Sequence, residues 1–196
     1  MEMAIFLDRD GIINYPVLNP RKNEYEAPAN KDDLKLVPEA IEALKELQEL
    51  DYKLFLVSNQ PDYAKGKTTF ENLQSVHNKI HSILSENNII FTEYYYCYHH
   101  PNGIVPEYSI PCECRKPGNF FLKQAKLKYG LDLLSSWMIG DSDVDIFCGQ
   151  SAGTRTIMVK IKRSAHRIGQ SNPDFLVNNL REAVEIVKKE HQYAKH

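Results

Sequence analysis

No apolar run in the chain approaches the roughly 20 residues that a membrane-spanning helix needs, so a spanning segment is not expected. Neither sign of charge dominates. Lys and Arg number 24 against 26 Asp and Glu, a formal net charge of −2, which gives no global pull toward nucleic acid or an anionic membrane. Internal repeats and low-complexity linkers are also missing, and 196 residues suit one domain with one substantial core, read here as 1–196. The N-terminus enters an apolar stretch without a charged leader, which points to a cytoplasmic protein. A monomer is expected.

What the chain does contain is a set of short polar motifs, each placed at the end of an expected strand or the start of an expected helix. Met3-Ala4-Ile5-Phe6-Leu7 reads as a buried strand running into Asp8-Arg9-Asp10-Gly11, two carboxylates two residues apart before a glycine turn. Beside Mg²⁺, one carboxylate can attack phosphorus while the other hands a proton to the leaving oxygen. Lys53–Val57 reads as a second strand, and Ser58-Asn59-Gln60 after it carry a hydroxyl and amides able to donate to phosphate oxygens. Arg115-Lys116-Pro117-Gly118 sets two cations ahead of an amphipathic helix. Trp137-Met138-Ile139 is a short strand followed by Gly140-Asp141-Ser142-Asp143-Val144-Asp145, where three acids in five residues imply a hard cation among them. Taken singly, each has a plainer reading: a solvated Asp turn, a capping turn, a solvated basic pair, or acids favouring a helix dipole.

A second constellation is Cys97-Tyr98-His99-His100 followed by Cys112-Glu113-Cys114, a C-x-H-x12-C-x-C pattern. Cys97, His99, Cys112 and Cys114 make a complete tetrahedral shell for a structural Zn²⁺, with no position open for catalysis. The alternatives are reduced structural cysteines or a disulfide, and His100 competes with His99 as ligand. Asn102-Gly103 with Pro101, Pro106 and Pro111 would not order itself well, so zinc would tie the 97–114 loop and place Arg115 and Lys116. The fourth cysteine, Cys148, reads as a small buried apolar side chain.

The order Asp-x-Asp, Ser-Asn, Lys, Gly-Asp-x-x-x-Asp over residues 8–145 resembles the haloacid dehalogenase-like phosphohydrolase superfamily. The resemblance implies that Asp8 is a nucleophile forming an aspartyl phosphate and Asp10 the general acid/base. It also implies that Ser58 and Lys116 hold the phosphoryl oxygens; Asn59 and Gln60, by their amide donors, are expected to contact substrate. Mg²⁺ would be bound by Asp8, Asp141 and the backbone carbonyl of Asp10, with Asp145 supporting the site from behind. The zinc pattern running into Arg115-Lys116-Pro117 is similar to the D-glycero-D-manno-heptose-1,7-bisphosphate 7-phosphatases and the related histidinol-phosphate phosphatases. That closer resemblance implies removal of a sugar 7-phosphate in nucleotide-activated heptose biosynthesis, with Arg115 recognising substrate. Some relatives carry Lys after the metal-binding Asp where this chain has Ser142, and the 15–36 stretch is long. The competing class is a zinc-stabilised binding domain without catalysis, for which Asp10 would have no use.

The remaining pattern predicts a three-layer α/β sandwich around a mostly parallel sheet, with no full cap domain. Helices are expected at 38–47, 68–84, 119–129, 144–152 and 180–189, and strands at 91–96, 156–159 and 175–177. His77 and His81 are expected to be structural, and Tyr94-Tyr95-Tyr96 to serve packing. The segment with Pro16, Pro20 and Pro28 reads as an irregular substrate-facing loop, whose Asn19, Arg21 and Lys22 bring cations near the entrance.

Overall fold

The computed structural model describes residues 1–193. Six strands form one parallel sheet: β1 (Ala4–Leu7), β4 (Lys53–Asn59), β5 (Phe91–Cys97), β6 (Trp137–Gly140), β7 (Arg155–Val159) and β8 (Phe175–Val177), in the order β5-β4-β1-β6-β7-β8. β2 (Val17–Asn19) and β3 (Glu24–Glu26) form a separate antiparallel hairpin. The helices are α1 (Ala40–Gln48), α2 (Phe70–Glu86), α3 (Phe120–Tyr129), α4 (Asp143–Ala152) and α5 (Leu180–Tyr193).

A parallel sheet covered on both faces needs strands that are apolar throughout, and β1 shows why. Ile5 and Leu7 point into a core built with α1, α2 and α5, through residues such as Leu44, Leu47, Val76, Ile80, Val184 and Val187. Ala4 and Phe6 point the other way, against Leu122 and Ala125 of α3 and Cys148 of α4. The expected three-layer sandwich is therefore the one observed, and Cys148 is fully buried in the second core. α2 turns Leu73, Val76, Ile80 and Leu84 inward, and Thr69 caps it by accepting from the Asn72 N–H at 3.2 Å.

Two expectations need correction. The 15–36 segment is not irregular throughout, because its strand pairs Val17 with Glu26 and Asn19 with Glu24 across a turn where Asn23 takes φ +54°. Three residues per strand are too few for a periodicity signal. Pro38 does not begin α1: the Ala40 N–H bonds the Val37 carbonyl at 3.0 Å, so Pro38 sits in the turn before the helix. Among the described residues, no helix is long and apolar enough to cross a membrane.

Candidate active site

The motif residues converge at the carboxyl edge of the central strands, where ligands of open α/β sheets bind. After β1 the chain turns sharply, with the N–H groups of Ile13 and Asn14 returning to the Arg9 carbonyl at 2.8 and 3.1 Å. Gly11 has φ +101°, and a Cβ there would lie 2.1 Å from Asp141 Oδ2. Both the backbone angle and the approach of Asp141 require glycine.

Lys116 is buried and spends its ammonium on three partners: Asp8 Oδ1 at 2.7 Å, Asp145 Oδ1 at 2.6 Å and the Val57 carbonyl at 2.6 Å. The two carboxylates outweigh burial and raise its proton affinity, so it is a fixed cation. Burial raises the Asp8 pKa, Lys116 opposes this, and Asp145 and Asp10 add to the rise. Asp10 lies the other way: burial would raise its pKa, but the Arg9 guanidinium and hydrogen bonds from Asn14, Arg9 and Gln60 hold it below the usual carboxylate range. The Arg9 contacts are 3.1 and 3.0 Å, Asn14 Nδ2 donates at 2.9 Å and Gln60 Nε2 at 2.6 Å. One acid sits against a lysine and the other inside a donor cage, so the two environments push their proton affinities apart.

The polar residues after β4 take different parts. Ser58 Oγ accepts from Gln60 Nε2 at 2.9 Å and keeps its own proton for another acceptor. Asn59 grips the backbone of Lys116, donating to its carbonyl at 3.0 Å and accepting from its N–H at 3.0 Å. Gln60 is fully buried with both amide protons spent on Asp10 and Ser58, so the reading of Gln60 as a phosphate donor is corrected: it braces the acid. Of the three acids after β6, Asp143 turns away and accepts from the backbone of Gly169, Gln170 and Ser171, so it leaves the expected cation cluster. Its place is taken by Asp8, whose carboxylate oxygen lies with those of Asp141 and Asp145 within 4.8 Å of one another. Asp145 accepts from the Ser142 N–H and hydroxyl at 3.1 and 2.5 Å, which leaves its other oxygen for Lys116.

Asp141 carries the signature of a cation site. It is fully buried, its Oδ1 has no partner, and its Oδ2 is met by Arg167 Nη2 at 2.8 Å. Burial pushes its pKa up to about 8, Arg167 opposing and Asp8 and Asp145 adding. An all-oxygen set short of positive charge suits Mg²⁺.

Cys97, His99, Cys112 and Cys114 form the second cluster. Cys114 Sγ lies 3.3 Å from Cys97 Sγ, 3.3 Å from Cys112 Sγ and 3.5 Å from His99 Nδ1, and Cys97 Sγ lies 3.6 Å from Cys112 Sγ. Thiolates at tetrahedral angles around one zinc lie roughly 3.8 Å apart, so the four atoms fit an ion with little rearrangement. No disulfide forms, and His100 Nδ1 instead accepts from the Asn102 N–H at 3.2 Å, which leaves His99 as the imidazole of the cluster.

Three participants were not legible in the sequence. Arg9 is fully buried with Nε and Nη1 unpartnered, and Arg167 and Asn14 reach Asp141 and Asp10 from outside any motif. Behind Arg9 the ring of His77 stacks on Tyr96 at 3.8 Å, with Tyr98 Oη 3.4 Å from its Nδ1. Burial, then Arg9 and His81, push its pKa down to about 3. A folded pKa below the unfolded value near 6.5 means that the unfolded chain binds a proton that the folded one refuses. Stability from this group is complete above pH 6.5 and declines as the pH falls toward 3. Between pH 7 and 5 that decline amounts to about 2 kcal/mol. Urea titrations of wild type and His77→Phe at both pH values should therefore show the wild-type advantage shrinking by about that amount. An advantage independent of pH would clear His77.

The cluster faces a cavity of about 350 Å³, lined by Asp10, Asn59, Arg115 and Arg167 on the motif side and by Glu24–Glu26, Asp62, Lys65 and Lys67 on the outer side. The HAD-hydrolase-like family model matches residues 113–183. The chain is 33% identical over 175 residues to the D-glycero-alpha-D-manno-heptose-1,7-bisphosphate 7-phosphatase of Photorhabdus laumondii, covering 89% of this chain and 90% of that one. It is 31% identical to the corresponding beta-anomer enzyme of Yersinia pestis, covering 94% and 95%. The D,D-heptose 1,7-bisphosphate phosphatase of B. bronchiseptica, solved with magnesium and phosphate, shares the fold with a TM-score of 0.78 at 23% identity, covering 97% of this chain and 99% of that one. With two carboxylates and a buried lysine at the strand ends and relatives matched nearly end to end, this chain belongs to the haloacid dehalogenase-like phosphatases, in the heptose-1,7-bisphosphate 7-phosphatase family.

Proposed function

We propose that this protein is a Mg²⁺-dependent phosphomonoesterase that removes the 7-phosphate of D-glycero-D-manno-heptose 1,7-bisphosphate through an aspartyl phosphate, and that it does so as a single 1–196 phosphatase domain. The observation that carries this reading is the Asp8–Lys116–Asp145 pairing beside a separately caged Asp10, at the floor of a cavity whose wall bears Arg115. The names of the matched relatives supply the substrate. Mg²⁺ bound by Asp8, Asp141 and the backbone carbonyl of Asp10 would offset the repulsion between the carboxylates and the phosphate and polarise the phosphoryl group.

The rest is done by side chains. Asp8 Oδ forms a bond to phosphorus as the bond from phosphorus to the sugar oxygen breaks, and Asp10 delivers a proton to that oxygen. Asp10 is ionised in the free site, so it first takes that proton from solvent as the arriving dianion raises its proton affinity. In the second half Asp10 takes a proton from water, whose oxygen bonds to phosphorus as the link to Asp8 breaks, releasing inorganic phosphate. Ser58 and Lys116 hold phosphoryl oxygens throughout. Asn59 keeps Lys116 at its post, and Gln60 aims Asp10. Zn²⁺ on Cys97, His99, Cys112 and Cys114 is structural, holding the loop that presents Arg115. The four unpaired cysteines suit a reducing cytoplasm.

Phosphate release from the heptose bisphosphate and from histidinol phosphate, measured side by side, tests the substrate. A higher kcat/KM for the bisphosphate is expected, because Arg115 favours an anion and repels an amine. Preference for histidinol phosphate would move the chain to the sister activity. With either compound, EDTA should abolish turnover and added Mg²⁺ restore it.

A further inference from the structure

The outer side of the cavity carries lysines that the motifs do not account for, besides Arg115 on the motif side. Lys65 and Lys67 come from the turn after β4 and Arg115 from the end of the zinc-clipped loop. Lys67 is already satisfied, at 2.6 Å from Glu26 and 3.8 Å from Asp62. The half-buried Lys65 ammonium makes no hydrogen bond or ion pair among the described residues, and the Arg115 guanidinium reaches only the His99 carbonyl at 3.5 Å. Burial and then the neighbouring Lys67 hold the Lys65 ammonium below its ordinary proton affinity, with Asp62 opposing. Two uncommitted cations that repel each other across one cavity are set for an anion.

The Lys65 turn is also built into the zinc loop. The Ile104 and Val105 N–H groups bond the Ala64 carbonyl at 2.7 and 3.2 Å, and the Lys65 N–H closes the turn on the Pro61 carbonyl at 3.0 Å. Gly66, at φ +64°, lets the Ile104 side chain come to 2.4 Å from where a Cβ would be. Tyr63 packs edge-on against Tyr108 of the same loop. The backbone segments that carry Lys65 and Arg115 are thus joined through one loop. Arg21 and Lys22, expected from the sequence to charge the entrance, line no part of this cavity, and Lys22 faces Glu26 at 3.7 Å.

We propose that Lys65, together with Arg115, binds the non-reacting phosphate of a bisphosphorylated substrate and so sets the preference for a bisphosphate over a monophosphate. The inference rests on the sugar-bisphosphate reading above. The test is the ratio of kcat/KM for the heptose 1,7-bisphosphate to that for the heptose 7-phosphate, measured on zinc-loaded wild type, Lys65→Gln and Lys65→Arg. The ratio should fall tenfold or more in Lys65→Gln, through KM for the bisphosphate, and recover most of its value in Lys65→Arg. If wild type prefers the bisphosphate and Lys65→Gln leaves the ratio within twofold, the inference is overturned while the proposed function stands. If wild type shows a ratio near one, the bisphosphate reading itself fails and Lys65 with it.

Discussion

Asp8→Asn should lower turnover at least about a thousandfold while leaving the melting temperature unchanged or raised. Asparagine keeps the shape of the side chain but not the electron pair that attacks phosphorus. The fold has reasons to tolerate it: burial, Asp145 and Asp10 all work against a charge at this position, and Lys116 retains Asp145 at 2.6 Å and the Val57 carbonyl at 2.6 Å. Phosphate release and a thermal melt on the same preparation decide it. More than about a hundredth of wild-type turnover in a folded Asp8→Asn protein is well short of what losing a covalent nucleophile costs, and would rule out the aspartyl phosphate.

Loss of zinc is expected to have the second largest effect, and to show it in KM rather than kcat. Elemental analysis of wild type should find about one Zn²⁺ per chain, and Cys112→Ser should remove most of it, since a closed four-ligand site rarely tolerates three. The cluster lies in the chain between the Lys65 turn, which it supports through Ile104 and Val105, and Arg115, which follows its last ligand. Removing the ion therefore loosens the two segments that carry Lys65 and Arg115. The expected result is a rise of about tenfold or more in KM for the bisphosphate, with kcat changed much less. Zinc-free wild type with its three cluster thiols reduced, or a zinc-free variant with an unaltered KM, would show that the cluster does not organise substrate binding.

Much of the site was legible because its pieces are local. Asp8 and Asp10 follow an apolar run into a glycine turn, and a parallel strand ending at the carboxyl edge of a sheet delivers whatever follows it to the ligand side. Ser58 and Asp141 end two further strands of the same sheet, and the zinc ligands come as two close pairs, so residue type and spacing alone indicate both clusters. The six-stranded parallel sheet follows from uninterrupted apolar strands alternating with amphipathic helices.

Tertiary structure decided which side of each motif faces the chemistry. Asp143 and Asp141 are equivalent as letters, but Asp143 meets the backbone N–H groups of Gly169–Ser171, brought there from beyond β7, and Asp141 does not. Gln60 looks like a donor to substrate until the β1 turn places Asp10 2.6 Å from its amide. Arg9 is only the residue between two acids in the sequence, yet it is fully buried, where its charge lowers the proton affinities of Asp10 and of His77. His99 and His100 are adjacent and chemically equal, and the turn at Asn102 takes one and leaves the other to the cysteines. Lys65 gains its meaning only from the loop hydrogen-bonded to Ala64, forty residues further on in the chain. What one strand and its turn dictate is written in consecutive residues, because alternation and turn geometry act over a few bonds. Which donor meets which acceptor across the sheet depends on how distant elements pack, and no local pattern carries that information.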